Sequence, residues 1–220
     1  MDPPKIRFAF GGSFVSLARD LLTMHSVPLL ILWALLAFTS QTFAARTVVI
    51  DAGHGGHDRG GVPGQRYSEK VYALDVAQRL EKRLRSAGFK TVMTRNGDYF
   101  VSLGGRCAIA NRQRNAVFIS VHFNSAKREG ANGIETYYYT GQSAGFASAV
   151  HGQVLRTART ENRFVRQRGF FVIRKTRIPA VLAELGFLTN RSEGKRIATS
   201  SSYRQELADA LARAIISKYR

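Results

Sequence analysis

The sequence predicts an α/β fold: a single-domain sandwich with a mainly parallel central sheet and helices on both faces. Three observations predict it. Short apolar or β-branched runs alternate along the chain with longer segments whose apolar residues recur every three or four positions. The apolar run AVFISVHFN, Ala116 to Asn124, reads as a buried strand. Finally, 220 residues with 45% hydrophobic content, no internal repeat and no Pro-rich linker make one domain with a proper core.

The first strand is Thr47 to Asp51 (TVVID), which breaks into a loop carrying Gly53, Gly55, Gly56, Gly60, Gly61 and Gly64. From the N-cap candidate Ser68, apolar residues Ala73, Ala77, Leu80, Leu84 and Ala87 keep helical spacing until Gly88 stops the helix. Lys90 to Arg95 returns as a strand, Gly105 to Asn115 reads as a helix, and the strands Ala116 to Asn124 and Gly133 to Tyr139 follow. Phe146, Val150, Val154 and Ala158 place a helix over Ser143 to Thr160. The apolar runs Phe170 to Ile173 and Ala180 to Leu185 then read as strands, and Leu207, Leu211, Ala214 and Ile215 define a last helix from Tyr203 to Lys218. Arg163 to Lys175 is dense in Arg, which is commonly a solvated face and here is also a candidate polyanion-facing one.

Ahead of the domain, Val27 to Phe38 (VPLLILWALLAF) is an uncharged run followed by a small and polar stretch ending at Ala45. A spanning helix needs about 20 apolar residues, so this run has the length of a signal-peptide core. The expectation is a leader over residues 1–44, with Met24 as an alternative start and an uncleaved anchor as the alternative fate. The chain would then be exported to the periplasm or cell envelope, with no stable membrane anchor after cleavage. The formal charge of +18 drops only to +17 without residues 1–44, because three cations and two anions leave with them. Such a charge seeks a polyanion: nucleic acid, anionic lipid or a cell-wall polymer. Export disfavours nucleic acid. A single cysteine, Cys107, excludes an internal disulfide framework and a Cys-rich zinc module, and its apolar helical setting predicts burial.

Any metal must therefore be held by His and carboxylate. His54 stands just past the first strand and His122 near the end of the Ala116 strand, and ligands of open α/β sheets collect in the crevice at those strand ends. Hydrolytic zinc sites commonly use two or three His with a carboxylate. Glu69, in the first turn after the Gly-rich loop, is one candidate acid, and a helix-dipole role would equally place it there. Glu184 lies within the apolar segment AVLAELGF and needs a partner, because an unpaired buried carboxylate is costly. His57 and His151 read as a loop residue and a helix residue. A phosphate-binding loop is excluded, since no G-x-x-x-x-G-K-[ST] occurs and Asp58 stands where the dinucleotide motif needs Gly.

The blocks VVIDAGHGGHDRG (Val48 to Gly60), SEK (Ser68 to Lys70), FISVHFNSA (Phe118 to Ala126), GIETYYY (Gly133 to Tyr139) and IPAVLAELGFLTN (Ile178 to Asn190) resemble the zinc-dependent N-acetylmuramoyl-L-alanine amidases of peptidoglycan. The resemblance spans Thr47 to Arg220. It implies Zn2+ held by His54, Glu69 and His122, with Glu184 as catalytic acid/base. It also implies hydrolysis of the amide between N-acetylmuramic acid and L-alanine, with peptidoglycan as the partner; a monomer is expected. Arg59 and Phe123 depart from the family pattern, where Pro and Ala are frequent, and bear on substrate fit. A zinc murein peptidase and a non-catalytic basic wall-binding protein are the alternative functions. Some relatives carry an additional helix over the zinc between the last two family strands, and the forty residues Thr140 to Pro179 leave no room for one after the expected helix and strand.

Overall fold

The computed structural model describes residues 47–128 and 130–220, so the leader expected over residues 1–44 lies outside the described residues. The elements run β1 (Thr47–Ala52), α1 (Glu69–Ser86), β2 (Lys90–Met93), α2 (Leu103–Asn111), β3 (Ala116–Asn124) and β4 (Ile134–Tyr138). A 3-10 turn (Gly141–Ser143) then leads to α3 (Ala144–Ala158), β5 (Asn162–Gln167), α4 (Phe171–Lys175), β6 (Ala180–Phe187), α5 (Arg191–Thr199) and α6 (Ser201–Tyr219). The six strands form one sheet in the order β2-β1-β3-β6-β4-β5. Every pairing is parallel except β4 with β6.

Alternation along the strands explains the two layers of core. Successive strand side chains point to opposite faces, so Val48 and Ile50 join Val117, Ile119, Val181 and Ala183 in one cluster, beneath α1, α3 and α6. Val49, Phe118, Ala180 and Leu182 face the other way, against Cys107 and Ala110 of α2 and Val172 and Ile173 of α4. Both faces are thereby dry, which is why the central strands read as continuous apolar runs. Helix α1 buries Ala73, Val76, Ala77, Leu80 and Leu84 as one stripe, each 0% exposed. Glu69 extends that stripe by one turn, and so it is carried toward the sheet.

Two expectations change. Phe170 to Ile173 is not a strand: Phe171–Lys175 is a short helix that buries Val172 and Ile173 while Arg174 and Lys175 stay in solvent. The fifth strand lies earlier, at Asn162–Gln167, inside the Arg-dense stretch. There Arg163 and Arg166 turn inward to Glu135, Arg163 Nε at 3.3 Å and Arg166 Nε at 3.9 Å from its Oε1, so this part of the stretch is not simply a solvated face. Helix α5 is additional to the expected elements; Asn190 caps it, its side chain accepting from the backbone N–H groups of Ser192 and Glu193. Ser68 precedes α1 but does not cap it with its side chain, since its hydroxyl donates instead to the Arg59 carbonyl.

Candidate functional site

The carboxyl ends of β1, β3 and β6 place polar residues on the α2/α4 face at every second position: Asp51 on β1, Ser120 and His122 on β3, Glu184 on β6. His122 and Glu184 are register partners across the β3–β6 pair, and Glu184 is opposite Glu135 across β6–β4. His54 follows β1 with φ 63°, a left-handed conformation that is uncommon outside glycine. That turn sends its ring back over the sheet end, and the His54 and His122 ring centroids come within 4.9 Å.

Glu69 lies between the two rings. Its Oε2 is 3.0 Å from His54 Nε2, and its Oε1 is 2.8 Å from His122 Nδ1 and accepts from the Phe123 backbone N–H at 3.1 Å. One ligand atom from each of His54, Glu69 and His122 lies within 4.8 Å of the others, a spacing able to hold a metal ion. Burial pushes the Glu69 carboxyl up, but the two histidines outweigh it and bring it down to about 2. Burial lowers the His54 pKa, but the bonds and charges of Glu69 and Asp58 outweigh it, for a net rise. Asp58 Oδ2 sits 2.8 Å from His54 Nδ1 and fixes the ring so that Nε2 faces the cluster.

Glu184 has the opposite electrostatics. Its Oε2 is buried with no hydrogen-bond partner. Burial, then repulsion from Glu69 and from Glu135, holds its pKa well above the carboxylate range. The arrangement pairs a carboxylate kept ionised by two imidazoles with a neighbouring one inclined to hold a proton, the separation that acid–base chemistry needs.

Two glycines make the cluster possible. A Cβ on Gly60, whose φ is +70°, would stand 2.5 Å from Glu69 Oε2, and one on Gly53 would stand 2.4 Å from the His122 ring. Two buried arginines, Arg95 and Arg106, hold the loop in place, and sequence reading missed both. Arg95 donates to the carbonyls of Ala52, Gly53, Lys70 and Gly97. Arg106 donates to those of Ala52, His54 and Val101 and pairs with Asp51 at 2.7 Å. The signal for Arg106 was its spacing of four from Ala110, which puts it on the buried side of α2. His57 is exposed and stacks on Phe100 at 4.3 Å, while His151 is buried between Thr136 and Asn162, so neither joins the cluster. Cys107 is buried as expected, 5% exposed.

With this geometry established, comparison with known proteins is decisive. The family model described as N-acetylmuramoyl-L-alanine amidase matches residues 48–217. This chain belongs to that amidase family. The uncharacterized protein YqiI of Bacillus subtilis (strain 168) is 37% identical over 187 residues, covering 83% of this chain and 89% of YqiI. LytH of Staphylococcus epidermidis (strain ATCC 12228 / FDA PCI 1200), named a probable cell wall amidase, is 32% identical over 177 residues, 80% of this chain and 59% of LytH. The solved N-acetylmuramoyl-L-alanine amidase AmiC2 of Nostoc punctiforme superposes with a TM-score of 0.72 at 39% identity, covering 78% of this chain and 95% of that one. The amidase is thus an enzyme whose single α/β domain and mainly parallel sheet match solved amidases of the family. Its reaction is hydrolysis of the peptidoglycan amide.

Proposed function

We propose that this amidase is zinc-dependent, with His54, Glu69 and His122 holding the metal and Glu184 moving the proton as it cuts the bond between N-acetylmuramic acid and L-alanine. The observation that carries the reading is the convergence of two imidazoles and a carboxylate beside a buried carboxyl oxygen without a partner. That donor set fits zinc, since three protein ligands of His and carboxylate type are usual in hydrolytic zinc sites. The close approach allowed by Gly53 and Gly60 is consistent with a loop shaped around these donors and no bulkier residue. Zinc bound there supplies Lewis-acid chemistry toward the attacking water and the scissile carbonyl.

The chain's own residues do the rest. Glu184, in its ionised form, takes a proton from the attacking water and returns it to the departing L-alanine nitrogen, and its buried Oε2, bonded to no other group of the described residues, is free for that role. Asp58 orients His54, and Arg106 anchors the carbonyl of the same residue at 2.6 Å, so the ring is held from both ends. The His54 and His122 side chains keep 22% and 16% of their exposure, which supports a site open to substrate. The short helix α4 borders that opening and leaves both rings accessible. No helix of the described residues is long and apolar enough to cross a membrane. The uncharged Val27 to Phe38 run and the naming of LytH for the cell wall support an exported enzyme of the periplasm or envelope that acts on peptidoglycan.

Dye release from labelled sacculi by the purified protein tests the proposal. Release that stops with a chelator and returns with zinc is expected. Release indifferent to the chelator would remove zinc from the account, and a requirement for an added activator would overturn the open site.

A further inference from the structure

Two cavities adjoin the His54 cluster, and a third shares lining residues with the second of them. The first, about 440 Å3, has His54 and His122 in its wall with Phe100, Leu103, Phe170 and Phe171. The second, about 450 Å3, shares His54 and Asp58 with the first and runs along the Gly-rich loop to Gln65 and Tyr67. The third, about 520 Å3, shares Gln65 and Tyr67 with the second and is bounded by Arg66, Arg191 and Lys195. Gln65, at the junction, accepts from Ser125 Oγ at 2.6 Å and donates to the Tyr67 carbonyl at 2.6 Å, so the passage has a fixed wall. Through these shared residues the three cavities form a series, with the cluster at the first two.

The two ends differ in chemistry. At the first, Phe100, Leu103, Phe170 and Phe171 are 46%, 53%, 43% and 38% exposed, a concentration of large apolar groups that water does not favour. At the third, no Asp or Glu lines the cavity. Arg66, Arg191 and Lys195 are all exposed, and no carboxylate or hydrogen-bond acceptor among the described residues meets their cationic groups. Arg66 only lies over the neighbouring Tyr67 ring, 5.2 Å from its centroid. Arg83, also exposed, is by contrast paired with Asp209 at 2.7 Å. Three unpaired cations around one concavity repel one another until an anion enters, and guanidinium groups favour carboxylates in particular.

Resting on the amidase reading, we propose that the cavity bounded by Arg66, Arg191 and Lys195 is a carboxylate subsite for the acidic stem peptide, so that substrate lies across the cluster with its sugar toward Phe170 and its peptide toward Lys195. The scissile amide joins an uncharged amino sugar, whose acetyl, lactyl and ring C–H faces suit aromatic surface, to a peptide bearing free carboxylates. Only this orientation gives each half of the substrate a matching end of the series. The reverse would set carboxylates against phenylalanines and leave the three cations unmet.

The test is binding of the stem peptide L-Ala-γ-D-Glu-L-Lys, with carboxylates free or amidated, followed by NMR titration at low salt. The protein is compared with its Arg66→Gln/Arg191→Gln/Lys195→Gln variant, in which all three changes are on the surface. The unsubstituted protein is expected to bind the free-carboxylate peptide about fivefold or more tightly than the amidated one, the scale of one or two exposed ion pairs. The variant should lose that preference at an unchanged melting temperature, whereas Phe170→Ala should keep it. Equal binding of the two peptides by the unsubstituted protein, or a preference that survives in the variant, would overturn the subsite. Carboxylate-selective binding without sacculus turnover would sink the amidase reading and sustain the subsite; turnover without selectivity would do the reverse.

Discussion

Asp51→Asn probes the foundation on which the cluster rests. Asp51 Oδ1 lies 2.7 Å from Arg106 Nη1 and accepts from Thr94 Oγ1 at 2.6 Å, while Oδ2 accepts from Ser120 Oγ at 2.6 Å. The two side chains of the ion pair are 1% and 3% exposed. Removing one partner of a buried pair costs roughly 3–5 kcal/mol, because the other charge stays buried and uncompensated. Asparagine keeps an acceptor oxygen, and Arg106 keeps the Ala52 and His54 carbonyls, which points to the lower end, about 3 kcal/mol. At about 2–4 °C per kcal/mol for a domain of this size, Tm should fall by about 6–12 °C. The sign with pH follows from the carboxyl itself. Burial pushes its pKa up, but Arg106, Ser120 and Thr94 bring the folded value below the ordinary one. The stabilisation is therefore present above the unfolded value of about 3.9 and is lost as pH falls through the lower folded value. Thermal melts by circular dichroism should show a full gap between the two proteins at pH 7 that narrows in acid. A variant melting within about 2 °C of the unsubstituted protein at pH 7 would refute the reasoning, as would a gap that persists unchanged until both unfold in acid.

Three further outcomes follow from the site and the charge. His122→Ala should lose zinc together with turnover, since it removes one of the three ligands proposed for the metal; full zinc occupancy, read by atomic absorption, would reassign the cluster. Glu184→Gln should keep zinc and lower turnover by about a hundredfold or more, because the amide cannot accept a proton; near-normal turnover would move the acid–base role elsewhere. Binding to isolated sacculi should weaken with added salt, since a domain with formal charge near +17 holds its substrate largely through exposed groups that are screened over about 8 Å at physiological ionic strength. Pull-down unchanged from low to high salt would contradict that.

Where tertiary context decides, the sequence was hard to read. The strands β1, β3 and β6 were plain because both faces are dry, so apolar character dominates until Asp51 on β1, Ser120 and His122 on β3, and Glu184 on β6 interrupt it. All but Ser120 sit toward strand ends, which made the crevice and its histidines legible. The edge strand β5 was not, because NRFVRQ pairs with β4 alone and its arginines are drawn in by Glu135, a residue far away in sequence. Helix α4 has only five residues, too few for periodicity to separate a turn of helix from a strand. Arg95 and Arg106 were hidden by a reliable habit, since arginine is seldom buried, and what buries these two is a set of loop carbonyls that exist only once the chain has folded.

A metal-assisted cut at the sugar–peptide amide is read out by mass spectrometry of peptidoglycan digested with and without chelator. Intact stem peptides with a free N-terminal L-alanine and glycan fragments that retain the lactyl group are expected, with neither product in the chelated reaction. Peptides cut internally with L-alanine still attached to the sugar would identify a peptidase instead. The same stem peptides released in full chelator would show that the His54, Glu69 and His122 cluster does not act through a metal.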